Sequence, residues 1–108
     1  MSIRQRLPDR RPNETFGFEC NGLRYTATIA RFPDGRLGEL FLCNHKNGSD
    51  ADTAARDAAI AASIAMQYGA DIEVIRRALC RDSWGNANGP LGVALDMLAS
   101  ASRGEVAS

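Results

Sequence analysis

Apolar and polar residues alternate with period two over the first third of the chain. Phe16, Phe18 and Cys20 alternate with Thr15, Gly17 and Glu19, and after Asn21-Gly22 the alternation resumes through Leu23, Tyr25, Ala27 and Ile29, opposite Arg24, Thr26 and Thr28. Period two is the signature of a strand with one buried face. Asn-Gly between two such runs marks a tight hairpin, because both turn residues need positive φ. Pro33-Asp34-Gly35 supplies a second turn, with proline pre-setting φ and glycine taking the left-handed position. A third strand follows, from about Leu37 to Asn44. It is more continuously apolar than its neighbours, which predicts a central position or cover on both faces. The three strands make an antiparallel meander.

After Lys46-Asn47-Gly48-Ser49-Asp50 the pattern changes to helix. Ser49 or Asp50 is the expected N-cap, Asp52 suits the first turn, and Gly69 suits termination after Tyr68. Residues 51–66 hold eight alanines, with Ile60, Ile64 and Met66 as the larger packers. A helix of such small side chains is expected to approach its neighbour closely. Asp71 caps a second helix, from Ile72 to about Arg81, with Ile72, Ile75 and Leu79 on one face and Arg76, Arg77 and Arg81 off it. A loop from Asp82 to Gly89 leads to Pro90, suited to the first position of a third helix carrying Leu91, Leu95 and Leu98. The fold class is therefore α+β: a three-stranded antiparallel meander followed by three helices packed on one face.

This division leaves residues 1–13 as a basic, flexible arm, 14–102 as one α+β domain and 103–108 as a frayed tail. The 108 residues suffice for one core without staples. Formal net charge is zero, with 13 basic and 13 acidic side chains. The whole-molecule field thus favours neither nucleic acid nor a membrane. Charge is uneven, however: Arg4, Arg6, Arg10 and Arg11 face only Asp9 in the first twelve residues. That arm is either a solvated terminus or a contact for an acidic partner. No apolar run reaches the roughly 20 residues of a membrane span, and the basic start lacks the apolar region of a secretory signal. Three irregularly spaced cysteines point to a reducing cytoplasm rather than a disulfide framework.

Candidate chemistry is sparse. Cys43 and the single histidine, His45, lie two apart on one strand, and with Cys20 they form a possible set of three soft metal ligands. The close CxxC pairs usual in structural zinc sites are missing. Two segments before helices, with Lys46, Gly48 and Ser49 in one and Asn88 and Gly89 in the other, are candidate anion sites, since free N–H groups and the helix dipole favour phosphate. Neither matches a known phosphate-binding fingerprint, and both are also explained as helix caps. Asp50, Asp52 and Asp57 are explained by capping and solvation. Glu39, on an apolar strand, is expected to face water or to meet Arg24 or Arg31 across the sheet. Trp84 is expected to anchor the core, with an exposed partner contact as the alternative.

The blocks Arg6-Leu7-Pro8, Asp34 to Leu42 (DGRLGELFL), Lys46-Asn47-Gly48-Ser49 and Ala61 to Gly69 (AASIAMQYG) occur in an order and spacing similar to a C-terminal segment of adenosylcobalamin-dependent (class II) ribonucleotide reductases. The resemblance covers about residues 6–81 and is to the accessory region called the TSCPD domain, after a Thr-Ser-Cys-Pro-Asp motif. Here the matching stretch is Ala87-Asn88-Gly89-Pro90-Leu91. Only Pro90 agrees, and Gly89 stands where the cysteine would fall, which puts in question any thiol or metal role for it.

The resemblance implies a stand-alone accessory or interaction domain with ribonucleotide reductase as partner. A reductase needs a large barrel, a radical cysteine, a redox cysteine pair and a cobalamin site, so no complete reductase and no activity of its own are expected. No cofactor is expected, nor nucleic acid or a membrane as partner, and a homodimer is compatible with the open face of the sheet. The arginines of the arm (Arg4, Arg6, Arg10, Arg11) and Trp84 are the candidate partner contacts. A nucleotide- or phosphate-binding regulator and a metal-binding domain are the alternatives.

Overall fold

The computed structural model describes residues 3–102. Its elements are β1 (Asn13–Cys20), β2 (Leu23–Arg31), β3 (Leu37–Asn44), α1 (Asp50–Gln67), α2 (Ile72–Ala78) and α3 (Pro90–Ser102). The strands form one antiparallel sheet in the order β1-β2-β3. Asn21 and Gly22, at φ 53° and 77°, make the tight turn between β1 and β2. The α+β meander followed by three helices is the architecture that the periodicity predicts. The proposed tail, 103–108, lies outside the described residues.

Alternation sorts the sheet into two faces. Phe18, Cys20, Tyr25, Ala27, Ile29, Leu40 and Leu42 point inward and pack with Ala55, Ala59, Ala62 and Met66 of α1 and with Leu91, Ala94 and Leu95 of α3. Ile72, Ile75 and Leu79 cover this core from its rim. The other face carries Thr15, Thr26, Thr28, Phe41, Cys43 and His45, none of them fully buried.

Two expectations about packing are corrected. β3 is an edge strand, not a central one, and its extra apolar residue, Phe41, is 48% exposed on the open face. Along α1, Ile60 and Ile64 are exposed at 49% and 38%, whereas the alanines at 55, 59 and 62 are buried. Small side chains face the sheet because α1 lies close along the free edge of β3. Side chains of α1 satisfy the β3 main chain there: Ser63 bonds both the N–H and the C=O of Leu40, Gln67 donates to the carbonyl of Gly38, and Asp52 accepts from the N–H of Asn44. The helix thus takes the place of a fourth strand.

The termini of the helices follow their local chemistry. Ser49 caps α1 by accepting from the N–H of Asp52. Gly69, at φ 101°, closes its other end, with Gly69 N–H donating to Met66 and Ala70 N–H to Ala65. α2 stops at Ala78, short of the expected Arg81, because Leu79 turns extended and Arg81 enters a bridge with Ala87.

Within the segment read as a basic, flexible arm, residues 4–11 lie across one end of the sheet. Arg11 Nη2 donates to both carboxylate oxygens of Glu39, at 2.7 and 2.8 Å. Gln5 N–H donates to the carbonyl of Gln67, and Arg4 Nε to its side-chain oxygen. Residues 4–11 therefore form a strap running from β1 over β3 to the end of α1.

Candidate functional site

The candidate residues fall into four places, and the sheet keeps several of them apart. Cys20 is on the inner face, buried among core side chains, and burial pushes its thiol pKa up. Cys43 and His45 are on the open face, where His45 Nε2 lies 3.2 Å from the hydroxyl of Thr26. A metal ion cannot bridge opposite faces of a sheet, so the set Cys20, Cys43 and His45 does not converge. Among the described residues no group of three potential metal ligands does.

The first anion candidate is organised around a carboxylate that already occupies it. Asp52, 3% exposed, accepts from the N–H groups of Gly48 and Asn44 and from Arg56 Nε. The Gly48 N–H, then that of Asn44, hold its carboxyl below the usual range. Lys46 N–H is taken by Asn44 Oδ1, Ser49 N–H by the Lys46 carbonyl, and Ser49 Oγ donates to that same carbonyl. Lys46, Gly48 and Ser49 thus build a turn closed on an internal anion, which disfavours an external one. Solvation does not explain Asp52, as the sequence suggested; its burial reflects this role. Asn44 Nδ2, also buried, has no hydrogen-bond partner among the described residues.

The second anion candidate serves to lock the hairpin. The Asn88 carbonyl accepts from Asn21 Nδ2 at 2.9 Å and lies 3.7 Å from Cys20 Sγ, while Asn88 N–H donates to Cys80. Gly89 precedes Pro90, and its carbonyl accepts from Val93 N–H as the first bond of α3.

Trp84 is 84% exposed, which overturns the expected core anchor. The cause is the loop beneath it. Asp82 Oδ1 accepts from the N–H groups of both Trp84 and Asn86, and Asp82 N–H donates to the Asn86 carbonyl. The Asn86 N–H is the chief cause of the depressed pKa of Asp82. Arg81 donates to the Gly85 carbonyl and, from both terminal nitrogens, to Asp96 of α3. Asp96 also accepts from Arg76, so two arginines of the α2 segment meet one acid of α3. The loop is laced to the body of the fold, and its one large apolar side chain points to solvent.

Of the arm residues, Arg4 and Arg11 are committed to Gln67 and Glu39, whereas Arg6 and Arg10 are exposed. Glu39 meets Arg11 rather than the expected Arg24 or Arg31; Arg24 pairs with Glu19. Nothing in the sequence signals the Arg11–Glu39 pair, since 28 residues separate its members. Three further exposed side chains, Ile60, Ile64 and Tyr68, follow one another at four-residue steps along α1 and make an apolar stripe.

Comparison with known proteins gives these surfaces a context. A vitamin B12-dependent ribonucleotide reductase of Rhodopirellula baltica is 42% identical over 72 residues, which is 67% of this chain and 7% of the relative. Those of Bradyrhizobium diazoefficiens and Streptantibioticus cattleyicolor are 34% and 38% identical over 73 and 71 residues, or 6% and 12% of their own lengths. The chain is related to one region of vitamin B12-dependent ribonucleotide reductases. It spans only 6–12% of the length of these reductases. No family model matches the chain, and no solved structure matches it. Among the described residues no helix is long and apolar enough to cross a membrane.

Proposed function

We propose that this chain is a cytoplasmic accessory domain of the TSCPD type that docks on a ribonucleotide reductase and does not carry out the reduction itself. The observation that carries the reading is the extent of the similarity. Some 70 residues make up two-thirds of this chain but only 6–12% of the three reductases compared. What is shared is one small unit.

The vitamin B12 of the relatives' name does not fit the residues present here. His45 is the chain's one histidine, is hydrogen-bonded to Thr26, and does not line either of two surface depressions formed by the described residues, of about 470 and 770 Å³. The three cysteines are free, with Cys20 and Cys43 on opposite faces.

Trp84 is the contact best prepared for docking. Its backbone is held by Asp82 before any partner arrives, so little ordering entropy is lost on binding. Tryptophan is also among the residues that most often dominate an interface. The test is affinity capture from the native host with the wild-type domain and with Trp84→Ala as baits. A reductase should be recovered by the wild type, and about tenfold less or worse by Trp84→Ala, the scale of a dominant contact. Recovery of no reductase by the wild-type bait would overturn the reading.

A further inference from the structure

We propose that the outer edge of β1 is a self-association site, where β1 of a second copy adds antiparallel and joins two three-stranded sheets into one of six strands. The proposal does not depend on docking to a reductase.

The two edges of the sheet are treated differently. On β3 the outward main chain is bonded by Ser63, Gln67 and Asp52 of α1. On β1 the two-residue turn makes Cys20 and Leu23 a hydrogen-bonded pair. Alternation then directs the main-chain groups of residues 14, 16, 18 and 20 at β2, and those of Asn13, Thr15, Gly17 and Glu19 outward. The far side of β2 shows the same phase, since His45 N–H donates to the carbonyl of Arg24. Among the described residues no hydrogen bond reaches the outward main-chain groups of those four residues; Thr15 and Glu19 are bonded only through their side chains, to Thr28 and Arg24.

Natural edges are usually blunted by proline, lysine, a bulge or a covering segment. β1 has no proline and no lysine, its only charges are Glu14 and Glu19, and its register with β2 is unbroken over all eight residues, whereas the pairing of β2 with β3 does shift, at Ala30 and Arg31. The strap does not cover β1 but runs away from it toward Glu39 and Gln67.

The edge is also complementary to itself. With a two-fold axis at Gly17, Thr15 stands opposite Glu19 of the second copy, and Phe16 opposite Phe18 of the second copy. No carboxylate then faces another, and Glu19 is already neutralised by Arg24 at 3.0 Å. Phe16, only partly buried at the end of the core, packs 6.2 Å from Phe18 within one copy and gains an aromatic neighbour across the axis.

The test is the mass of the full chain in solution, by light scattering, for the wild type, Thr15→Pro and Gly17→Lys. Thr15→Pro removes an outward N–H and leaves the β1–β2 ladder whole; Gly17→Lys sets a charge on the edge where the added side chain has room. The wild type should have twice the 11.6 kDa of one chain, and both variants half the wild-type mass while keeping a cooperative unfolding transition whose midpoint, unlike that of the wild type, does not rise with protein concentration. Trp84→Ala should remain dimeric, which separates this site from the docking loop. A wild type that is monomeric at every concentration, or a dimer that survives both edge variants, overturns the proposal. So does a monomer whose capture of a reductase is lost in Thr15→Pro, since the edge would then take a foreign strand.

Discussion

Ser63 and Leu40 exchange two hydrogen bonds: the serine hydroxyl accepts from the Leu40 N–H and donates to the Leu40 carbonyl, each at 2.9 Å. Both residues are buried, so no water replaces the hydroxyl when it is removed. Ser63→Ala should lower stability by about 1–3 kcal/mol, the cost of leaving buried polar groups unpaired. Chemical denaturation of the variant checks this, and Ser63→Thr should recover part of the loss by restoring the hydroxyl.

Asp52 should make the fold sensitive to acid. Its folded pKa lies below the ordinary 3.8, chiefly through the Gly48 N–H and then that of Asn44. Its contribution is therefore full at pH values above the unfolded pKa, and is lost as pH falls through the lower folded value. Asp34, Asp82 and Asp96 are shifted the same way and share this acid limb. Asp52→Asn should reduce the melting temperature at neutral pH and make its decline below about pH 4 shallower than in the wild type. Thermal melts across pH 2–7 would show an unchanged acid limb if the carboxylate had no such role.

Gly38 has no room for a methyl group. An added Cβ would lie 2.8 Å from Phe32 Cε2, 3.0 Å from Phe32 Cζ and 3.1 Å from Leu7 Cδ1. Gly38→Ala should cost about 1–3 kcal/mol, as overpacking does elsewhere. Because Leu7 belongs to the strap, proteolysis within residues 4–11 should be faster in this variant. Equal cleavage rates would mean that the Phe32 ring alone absorbs the strain.

Asp96 joins α3 to the α2 segment through Arg81 and Arg76, and all three side chains are no more than about one-third exposed. Asp96→Ala should lower stability by about 1–3 kcal/mol, the range for hydrogen bonds to charged groups. Hydrogen exchange should show faster opening of residues 81–87 than of the sheet.

The sequence was legible where the chemistry is local. Asn21-Gly22, the Ser49 and Asp71 caps and Gly69 each specify a turn or a terminus within a few residues, and the three strands and three helices follow from them. What was hidden lies between distant segments. Asp52, Ser63 and Gln67 look like ordinary polar residues of a helix, because their partners, the main-chain groups of Asn44, Leu40 and Gly38, have no side-chain signature. One signal was available: these polar residues sit beside a stripe of buried alanines at 55, 59 and 62, at a spacing that places them on the packed side of α1. Ile60 and Ile64 misled because large apolar residues usually face a core, whereas here the close approach of α1 to β3 admits only small ones. Trp84 misled for the converse reason, as Asp82 fixes the backbone so that the ring points outward.

The cap that α1 places on β3 also limits how many copies can assemble. A sheet with two open edges can add strands without end, the route to fibres. This sheet has one open edge, so its valence is one. When two copies pair through β1, each consumes its single open edge, and both outer margins of the resulting sheet are already occupied by helices. In the proposed pair growth would stop at two, because Asp52, Ser63 and Gln67 hold the place that a third copy would need.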